Sequence, residues 1–181
     1  MRAIASELPG VIVLEPKVLG DDRGFFFESY NKRAFNEATG LDVEFVQDNH
    51  SRSSRNVLRG LHYQVQRPQG KLMRCTLGSI YDVVVDLRRS SPRFGGWAAV
   101  ELTAENKRMV WVPPGFAHGF LVTSDAAEVI YKVTDYWAPA FERTLAWNDP
   151  KLAIPWPLDG APLLSAKDAT GATLQTAETY E

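Results

Sequence analysis

The chain has 181 residues, of which 45% are hydrophobic and 23% charged, and its formal net charge is −2. This composition is typical of a globular protein with one sizeable core, and the small net charge argues against nucleic acid or an anionic membrane as a partner. The single cysteine, Cys75, excludes an internal disulfide framework and fits a reducing compartment. Residues 1–7 lack the apolar run of a signal peptide, and no apolar stretch approaches the roughly 20 residues that span a bilayer. We therefore expect a cytoplasmic protein with a single domain over residues 1–181.

The first predicted elements are short. Residues 11–16 are rich in β-branched side chains and predict a strand, and the aromatic run 25–30 predicts another after a glycine-flanked turn. Residues 32–39 form the clearest helix candidate, with Asn31 as its N-cap and Gly40 as its stop.

From residue 57 onward the pattern predicts one strand after another. Segments 72–77 and 80–87 are separated only by a Gly-Ser pair, which predicts a hairpin. The later strands are predicted at 97–102, 108–112, 116–122 and 127–133. Short strands at this regular spacing favour an antiparallel sandwich or barrel. Three prolines after residue 150 indicate an irregular segment that wraps the outside, and we expect the last ten residues to be loose.

The segment 58–64 combines polar and apolar faces. Side chains of an extended strand alternate, so Gly60, His62 and Gln64 share one face while Leu61 and Tyr63 share the other. This pattern predicts a strand that lines a wet cavity. A histidine packed in the core and hydrogen-bonded there explains the segment equally well.

Other strands also carry polar residues on faces that are otherwise apolar. His118, Tyr131 and Asp82 each share the parity of hydrophobic neighbours, as does Asp86. Polar groups that converge inside a barrel are typical of a binding site. A buried structural role explains Tyr131 and Asp82 equally well. No metal is predicted: the three histidines are widely spaced, and Gln64 stands where a His-x-His pair would have its second ligand.

Several motifs in order resemble the dTDP-4-dehydrorhamnose 3,5-epimerases over roughly residues 8–170. They are DRGFF at 22–26, FVQDNHS at 45–51, LRGLHYQ at 58–64, GKL at 70–72, GSIYDVVVDLR at 78–88, VPPGFAHGF at 112–120 and the Ser-x-Lys-Asp element at 165–168. The resemblance implies an all-β, cupin-type jelly-roll barrel with a few short peripheral helices, its core at roughly 10–137 and a wrapping segment at 138–181. It also implies a homodimer that needs neither metal nor redox cofactor.

The family converts dTDP-4-dehydro-6-deoxy-D-glucose to dTDP-4-dehydro-L-rhamnose. The C4 ketone of this sugar acidifies the C–H bonds at C3 and C5, so epimerisation needs a base on one face, an acid on the other, and a positive group for the enolate. By resemblance His62 is the base and Asp168 orients it. Lys71 lies near the C4 oxygen, and Tyr131 delivers the proton from the opposite face.

The resemblance also implies a set of substrate-binding residues. Arginine and lysine suit a diphosphate, and an aromatic ring suits the thymine base. Trp137 stands where many members carry tyrosine, and Arg23 and Glu28 are expected to complete the site of the partner subunit. The full set is Arg23, Glu28, Gln47, Asn49, Arg59, His118, Trp137, Glu142 and Lys167.

The sequence is also compatible with other functions. A mono-epimerase acting at C3 or C5 alone shares the same base and acid, and a 3,4-ketoisomerase of similar fold is more distant. A metal-dependent cupin oxygenase and a sugar-binding cupin without activity belong to other classes. The substrate site also predicts a local feature: Arg59 and His62 differ in parity, so the strand should bend or bulge at Gly60.

Overall fold

The computed structural model describes residues 1–181 and contains 13 strands, one α helix and two short 3₁₀ helices. The strands are β1 (Arg2–Ala5), β2 (Ile12–Glu15), β3 (Leu19–Asp21), β4 (Gly24–Phe26), β5 (Gln47–Ser54), β6 (Leu58–Gln64), β7 (Lys71–Leu77), β8 (Ser79–Asp86), β9 (Trp97–Thr103), β10 (Met109–Val112), β11 (Phe116–Val122), β12 (Ala126–Val133) and β13 (Glu142–Thr144). Helix α1 spans Lys32–Thr39, and the 3₁₀ helices span Pro139–Phe141 and Asp168–Thr170. No helix is long and apolar enough to cross a membrane.

Two antiparallel sheets form the body of the molecule. The six-stranded sheet has the order β1-β2-β10-β7-β12-β5, and the five-stranded sheet has the order β13-β6-β11-β8-β9. The main core lies between them, because β7, β10 and β12 on one side and β8, β9 and β11 on the other all contribute buried apolar side chains to it. This is a double-sheet jelly roll, and the predicted all-β fold class is confirmed.

Helix α1 covers the outer face of the six-stranded sheet. Phe35 is fully buried against Trp111, with ring centroids 5.7 Å apart. The side chain of Asn31 accepts a hydrogen bond from Ala34 N at 3.2 Å, and Gly40 has the left-handed φ of 72° that ends a helix. The predicted helix and both of its boundaries are confirmed.

Residues 145–180 cover the outer face of the five-stranded sheet, which explains why every residue of β11 is buried. The prediction that the last ten residues are loose is wrong. Ala177 is only 6% exposed, and the main chain of Tyr180 bonds to Leu87 O at 3.0 Å and Arg89 N at 2.8 Å. An apolar sheet face needs a cover, and this segment supplies it.

Two other predictions about local structure are corrected. Segments 72–77 and 80–87 are both strands, but β7 pairs with β10 and β12 while β8 pairs with β9 and β11, so they form no hairpin. The chain instead turns from one sheet to the other at Gly78, whose φ is 72°. The aromatic run is a strand only over Gly24–Phe26, in a separate hairpin with β3 whose Phe25 and Phe26 are 64% and 68% exposed.

Candidate active site

A cavity of about 360 Å³ opens between the two sheets on the side where β5 and β6 lie. Its walls are mostly polar. Of the residues predicted for the site, those that line the cavity are Gln47, Asn49, Arg59, His62, Lys71, His118, Tyr131, Trp137, Glu142 and Lys167. Asp168 lies behind His62, bonded to its ring.

The strand β6 bulges at Gly60, as predicted. Gly60 has a φ of 114°, and the register of β6 against β11 shifts between His118 and Phe120. A Cβ atom on residue 60 would lie 2.7 Å from Gly119 Cα, so only glycine fits. The bulge is what allows Arg59 and His62, three residues apart, to line the same cavity.

His62 and Asp168 form a tightly bonded pair. His62 Nε2 lies 2.6 Å from Asp168 Oδ1, and Asp168 also accepts hydrogen bonds from Ser165 Oγ at 2.7 Å and Gly60 N at 3.2 Å. Burial acts to raise the pKa of Asp168, but these bonds prevail and lower it to about 2. Burial lowers the pKa of His62 against the opposing effect of Asp168. The pair is therefore a neutral imidazole held by a carboxylate, and His62 Nδ1 makes no hydrogen bond within the chain.

Lys71 is a cation close to this pair. Its Nζ donates to His62 O at 3.3 Å. Burial lowers the pKa of Lys71 to about 8, although the charges of Asp82 and Glu142 act in the opposite direction. Near neutral pH Lys71 is mostly an ammonium group, poorly solvated and directed at the cavity.

A second histidine–carboxylate pair lies in the same wall. His118 Nε2 is 2.8 Å from Asp82 Oδ2, and their side chains are 4% and 0% exposed. The inward orientation predicted for both residues is confirmed. The other oxygen of Asp82, Oδ1, is buried and has no hydrogen-bond partner within the chain.

Tyr131 faces His62 across the cavity. His62 belongs to β6 in the five-stranded sheet, while Tyr131 belongs to β12 in the six-stranded sheet, so the two side chains enter from opposite walls. Burial raises the pKa of Tyr131 against a smaller opposing effect of Arg59. Its hydroxyl therefore stays protonated and can act as a donor over the whole neutral range.

The rim of the cavity carries an aromatic ring and two cationic side chains. The side chain of Trp137 is largely exposed, and its main-chain N donates to Gln47 Oε1 at 3.2 Å. Lys167 Nζ bonds to Glu142 Oε1 at 2.9 Å, and Arg59 Nε bonds to Ser53 Oγ at 2.9 Å. An aromatic ring beside two cations can hold a base and a diphosphate.

Two predicted residues are not brought to this cavity within the chain. Arg23 pairs with Asp21 on the exposed hairpin β3–β4, and Glu28 accepts a hydrogen bond from Asn31 Nδ2 at 2.9 Å. Neither lines the cavity. Their contribution to a neighbouring subunit stays a prediction.

The sequence did not single out some lining residues: Ser51, Gln69, Met73 and Phe120. Ser51 could have been found, because it alternates with Gln47 and Asn49 along β5. Gln69 lies on the loop before β7, where no periodicity operates. No group of three or more His, Cys, Asp or Glu side chains converges as a metal site.

Comparison with known proteins places this geometry in context. A family model described as dTDP-4-dehydrorhamnose 3,5-epimerase matches residues 5–176. The chain is 61% identical to the dTDP-4-dehydrorhamnose 3,5-epimerase of Pseudomonas aeruginosa over 180 residues, which is 99% of either chain. Its structure is similar to that of the dTDP-6-deoxy-D-glucose-3,5-epimerase of Legionella pneumophila in complex with dTDP-4-keto-L-rhamnose, with a TM-score of 0.95, 47% identity and coverage of 98% and 94%. It is also similar to a 3'-monoepimerase of Streptomyces bikiniensis in complex with dTDP-quinovose, with a TM-score of 0.88, 37% identity and coverage of 97% and 88%.

Proposed function

The chain belongs to the dTDP-4-dehydrorhamnose 3,5-epimerase family, and we propose that it epimerises C3 and C5 of dTDP-4-dehydro-6-deoxy-D-glucose to give dTDP-4-dehydro-L-rhamnose. The observation that carries the proposal is that the candidate base and the candidate acid enter the cavity from opposite walls. A carboxylate-bound histidine enters the cavity from one sheet and a protonated tyrosine from the other, with a lysine beside the histidine. A ring bound between them meets a base on one face and an acid on the other.

In the proposed reaction His62 is the base. The C4 ketone stabilises the carbanion at C3 or C5 as an enolate, so a neutral imidazole can remove either proton. The proton moves to His62, and the carboxylate of Asp168 stabilises the imidazolium that forms. The lowered pKa of His62 keeps the imidazole neutral, and therefore reactive, near neutral pH.

Lys71 and Tyr131 complete the step. The ammonium group of Lys71 stabilises the negative charge that develops on the C4 oxygen. The hydroxyl of Tyr131 then gives its proton to the carbon from the opposite face, which inverts the configuration. Solvent returns a proton to Tyr131 and removes one from His62, so the enzyme is restored without a cofactor.

The nucleotide half of the substrate occupies the rim in this proposal. The ring of Trp137 stacks on thymine, and Arg59 and Lys167 bind the diphosphate. The remaining polar residues of the cavity position the sugar and the nucleotide: Gln47, Asn49, His118 and Glu142.

We also propose that the enzyme is a homodimer in which the β3–β4 hairpin reaches the partner's cavity. Arg23 supplies a further cation for the diphosphate there, and Glu28 contacts the substrate. The hairpin exposes Leu19, Phe25 and Phe26, each more than half exposed, and such an apolar patch favours burial against another surface. Two symmetric hairpins can each complete the other subunit's site.

The cellular setting and the domain organisation are proposals of the same kind. One buried cysteine, Cys75, suits the reducing cytoplasm. The segment 138–181 adds β13 to the five-stranded sheet and covers its outer face, so we treat residues 1–181 as one folding unit.

The mono-epimerase is the second candidate, because a 3'-monoepimerase shares the fold at a TM-score of 0.88. The two functions differ in which carbons exchange their hydrogen. Incubation with dTDP-4-dehydro-6-deoxy-D-glucose in deuterated water, followed by NMR, should show deuterium at both C3 and C5. Label at one carbon would establish the mono-epimerase, and the absence of label would exclude both enzymes.

His62→Ala serves as the control in this experiment. Loss of the base should slow exchange at both carbons by about 10²- to 10⁴-fold, while dTDP binding stays close to that of the unsubstituted protein. Exchange that persists at either carbon would remove His62 from its role as the common base.

A further inference from the structure

A short segment, residues 178–180, packs against the strand that carries His62. It lies on the outer face of the five-stranded sheet, away from the cavity, as part of the apolar cluster that includes Tyr63 and Tyr180. The rings of Tyr63 and Tyr180 meet edge to face with centroids 6.1 Å apart. The mechanism described above uses neither ring.

Segment 178–180 and β6 exchange hydrogen bonds in both directions. Tyr180 Oη donates to Gln64 O at 2.6 Å, and Tyr63 Oη donates to Glu178 O at 2.7 Å. Burial raises the pKa of both hydroxyls, to about 12 for Tyr63, so both stay donors in the neutral range. The backbone of Tyr180 is fixed in turn by Leu87 and Arg89 at the end of β8.

The bond to Gln64 has a specific structural reason. The pairing of β6 with β11 ends at His62 and His118. The main-chain carbonyl of Gln64 lies beyond that point and has no partner on β11. Gln64 is only 4% exposed, and a buried carbonyl without a partner is costly. The hydroxyl of Tyr180 supplies the bond that β11 does not.

Gln64 carries the connection onward to the rim of the cavity. Its side-chain Oε1 accepts a hydrogen bond from Ala138 N at 2.9 Å, and its Nε2 donates to Arg67 O at 2.6 Å and Tyr136 O at 3.4 Å. Its amide thus bonds to the residues on either side of Trp137. Gln64, whose main-chain carbonyl is bonded to Tyr180, therefore also fixes the main chain around Trp137, the ring that we propose stacks on thymine.

We propose that Tyr180 is a positioning residue that acts through Gln64 to fix Trp137 at the nucleotide end of the cavity. The inference rests on the proposed function, because it takes dTDP as the ligand of Trp137. It assigns the outer segment 178–180 a part in substrate affinity, although no atom of that segment lines the cavity.

The test is Tyr180→Phe, which removes one hydroxyl and keeps the ring. Loss of one buried hydrogen bond should weaken dTDP binding by about three- to tenfold in calorimetry and raise KM by a similar factor, with kcat within about twofold. Tyr81→Phe is the matched control: Tyr81 packs on the same cluster, its hydroxyl makes no hydrogen bond within the chain, and we expect unchanged affinity.

A double substitution separates positioning from general stabilisation. In a Trp137→Ala background the effect of Tyr180→Phe on dTDP affinity should disappear, because the ring it positions is absent. Gln64→Met breaks the same link at its other end and should reproduce the loss of affinity. Additive losses, or a fall in kcat with unchanged KM, would overturn the inference.

Binding of dTDP by the unsubstituted protein separates a failure of the proposed function from a failure of the inference about Tyr180. If it does not bind dTDP, the proposed function fails and this inference fails with it. If it binds dTDP and the Tyr180→Phe variant binds equally well, only the inference is wrong.

Discussion

Lys71 is the residue whose ionisation should limit the proposed reaction at high pH. Its ammonium group is needed while the enolate exists, and burial lowers its pKa to about 8. Below this value the group is charged, and above it the charge is lost. The base behaves oppositely. Burial lowers the pKa of His62, so the imidazole is protonated, and thus inactive as a base, only when the pH falls below the ordinary pKa of histidine. The two groups together predict a bell-shaped dependence of rate on pH.

The pH prediction concerns kcat/KM, which reports the free enzyme. It should fall as the pH rises through about 8. Lys71→Arg should move this limb upward by more than about two pH units, because a guanidinium stays charged, at the cost of a lower maximum. Lys71→Met should lower kcat/KM by about 10²- to 10³-fold below pH 8, and the difference should narrow at higher pH, where the unsubstituted lysine also loses its charge.

Lys132→Arg is the matched control. Lys132 lies on the neighbouring strand β12, pairs with Asp48 and does not line the cavity, so its replacement should leave the profile unchanged. A basic limb that stays near pH 8 in Lys71→Arg would assign that limb to another group. Tyr131 is not a candidate for it, because burial raises its pKa.

The site residues differ in how far the sequence could predict them. His62, His118, Tyr131 and Asp82 sit inside strands, where alternation decides which face they occupy, and parity alone placed them inward. Asp168 lies in a 3₁₀ helix after a long irregular segment, and only the family motif pointed to it. Its contact with His62 joins residues 106 apart, and no local pattern encodes such a contact.

At the scale of elements, strand β6 depends on Gly60. Two independent constraints meet there: the positive φ of 114° and the approach of Gly119 Cα to the place of a Cβ. Gly60→Ala should lower the free energy of unfolding by about 3 kcal/mol or more, because the backbone strain adds to a clash with a neighbouring strand. Urea unfolding at fixed protein concentration measures the loss.

Gly40→Ala is the control for the strain alone. Gly40 also has a positive φ, 72°, but no heavy atom lies within 4 Å of the place of its Cβ. Gly40→Ala should lower the free energy of unfolding by about 1 kcal/mol. Equal losses in the two variants would mean that the close approach of β6 and β11 at Gly60 is not what requires glycine.

The error at Gly78 shows what sequence patterns omit at this scale. Two strands separated by a Gly-Ser pair have the local signature of a hairpin, and the left-handed φ of Gly78 is also typical of one. The partners of β7 and β8 are distant in sequence, however, and a jelly roll needs corners between its sheets. The same local signal therefore serves a corner as well as a hairpin, and long-range pairing decides between them.

At the scale of the whole molecule, the two-sheet architecture explains why the site can invert a carbon. Inversion requires a base and an acid that do not share a face of the substrate. A single sheet would present both side chains from one wall, whereas a jelly roll with a cavity between its sheets presents His62 from one wall and Tyr131 from the other. Arg23 lies on the β3–β4 hairpin, outside the cavity of its own chain.

The last prediction tests whether the hairpin completes a neighbouring site. His62→Ala removes the base, and Arg23→Ala removes a cation that we assign to the partner's diphosphate. Each variant alone should have low activity as a homodimer. In a mixed dimer, one site would carry both substitutions and the other would carry neither, provided that Arg23 acts across the interface.

Mixing the two variants in equal amounts, with subunit exchange, should therefore restore activity to about a quarter of the unsubstituted level, since half the dimers are mixed and half of their sites are intact. Formation of dTDP-4-dehydro-L-rhamnose measures the recovery, because deuterium exchange needs only the base and would persist in Tyr131→Phe. Two variants that both alter the cavity of one subunit, His62→Ala and Tyr131→Phe, provide the control, because every site of their mixed dimer carries a substitution and no activity above that of the separate variants should return. If the first mixture behaves like this control, Arg23 acts within its own subunit or not at all, and the hairpin does not complete the partner's site.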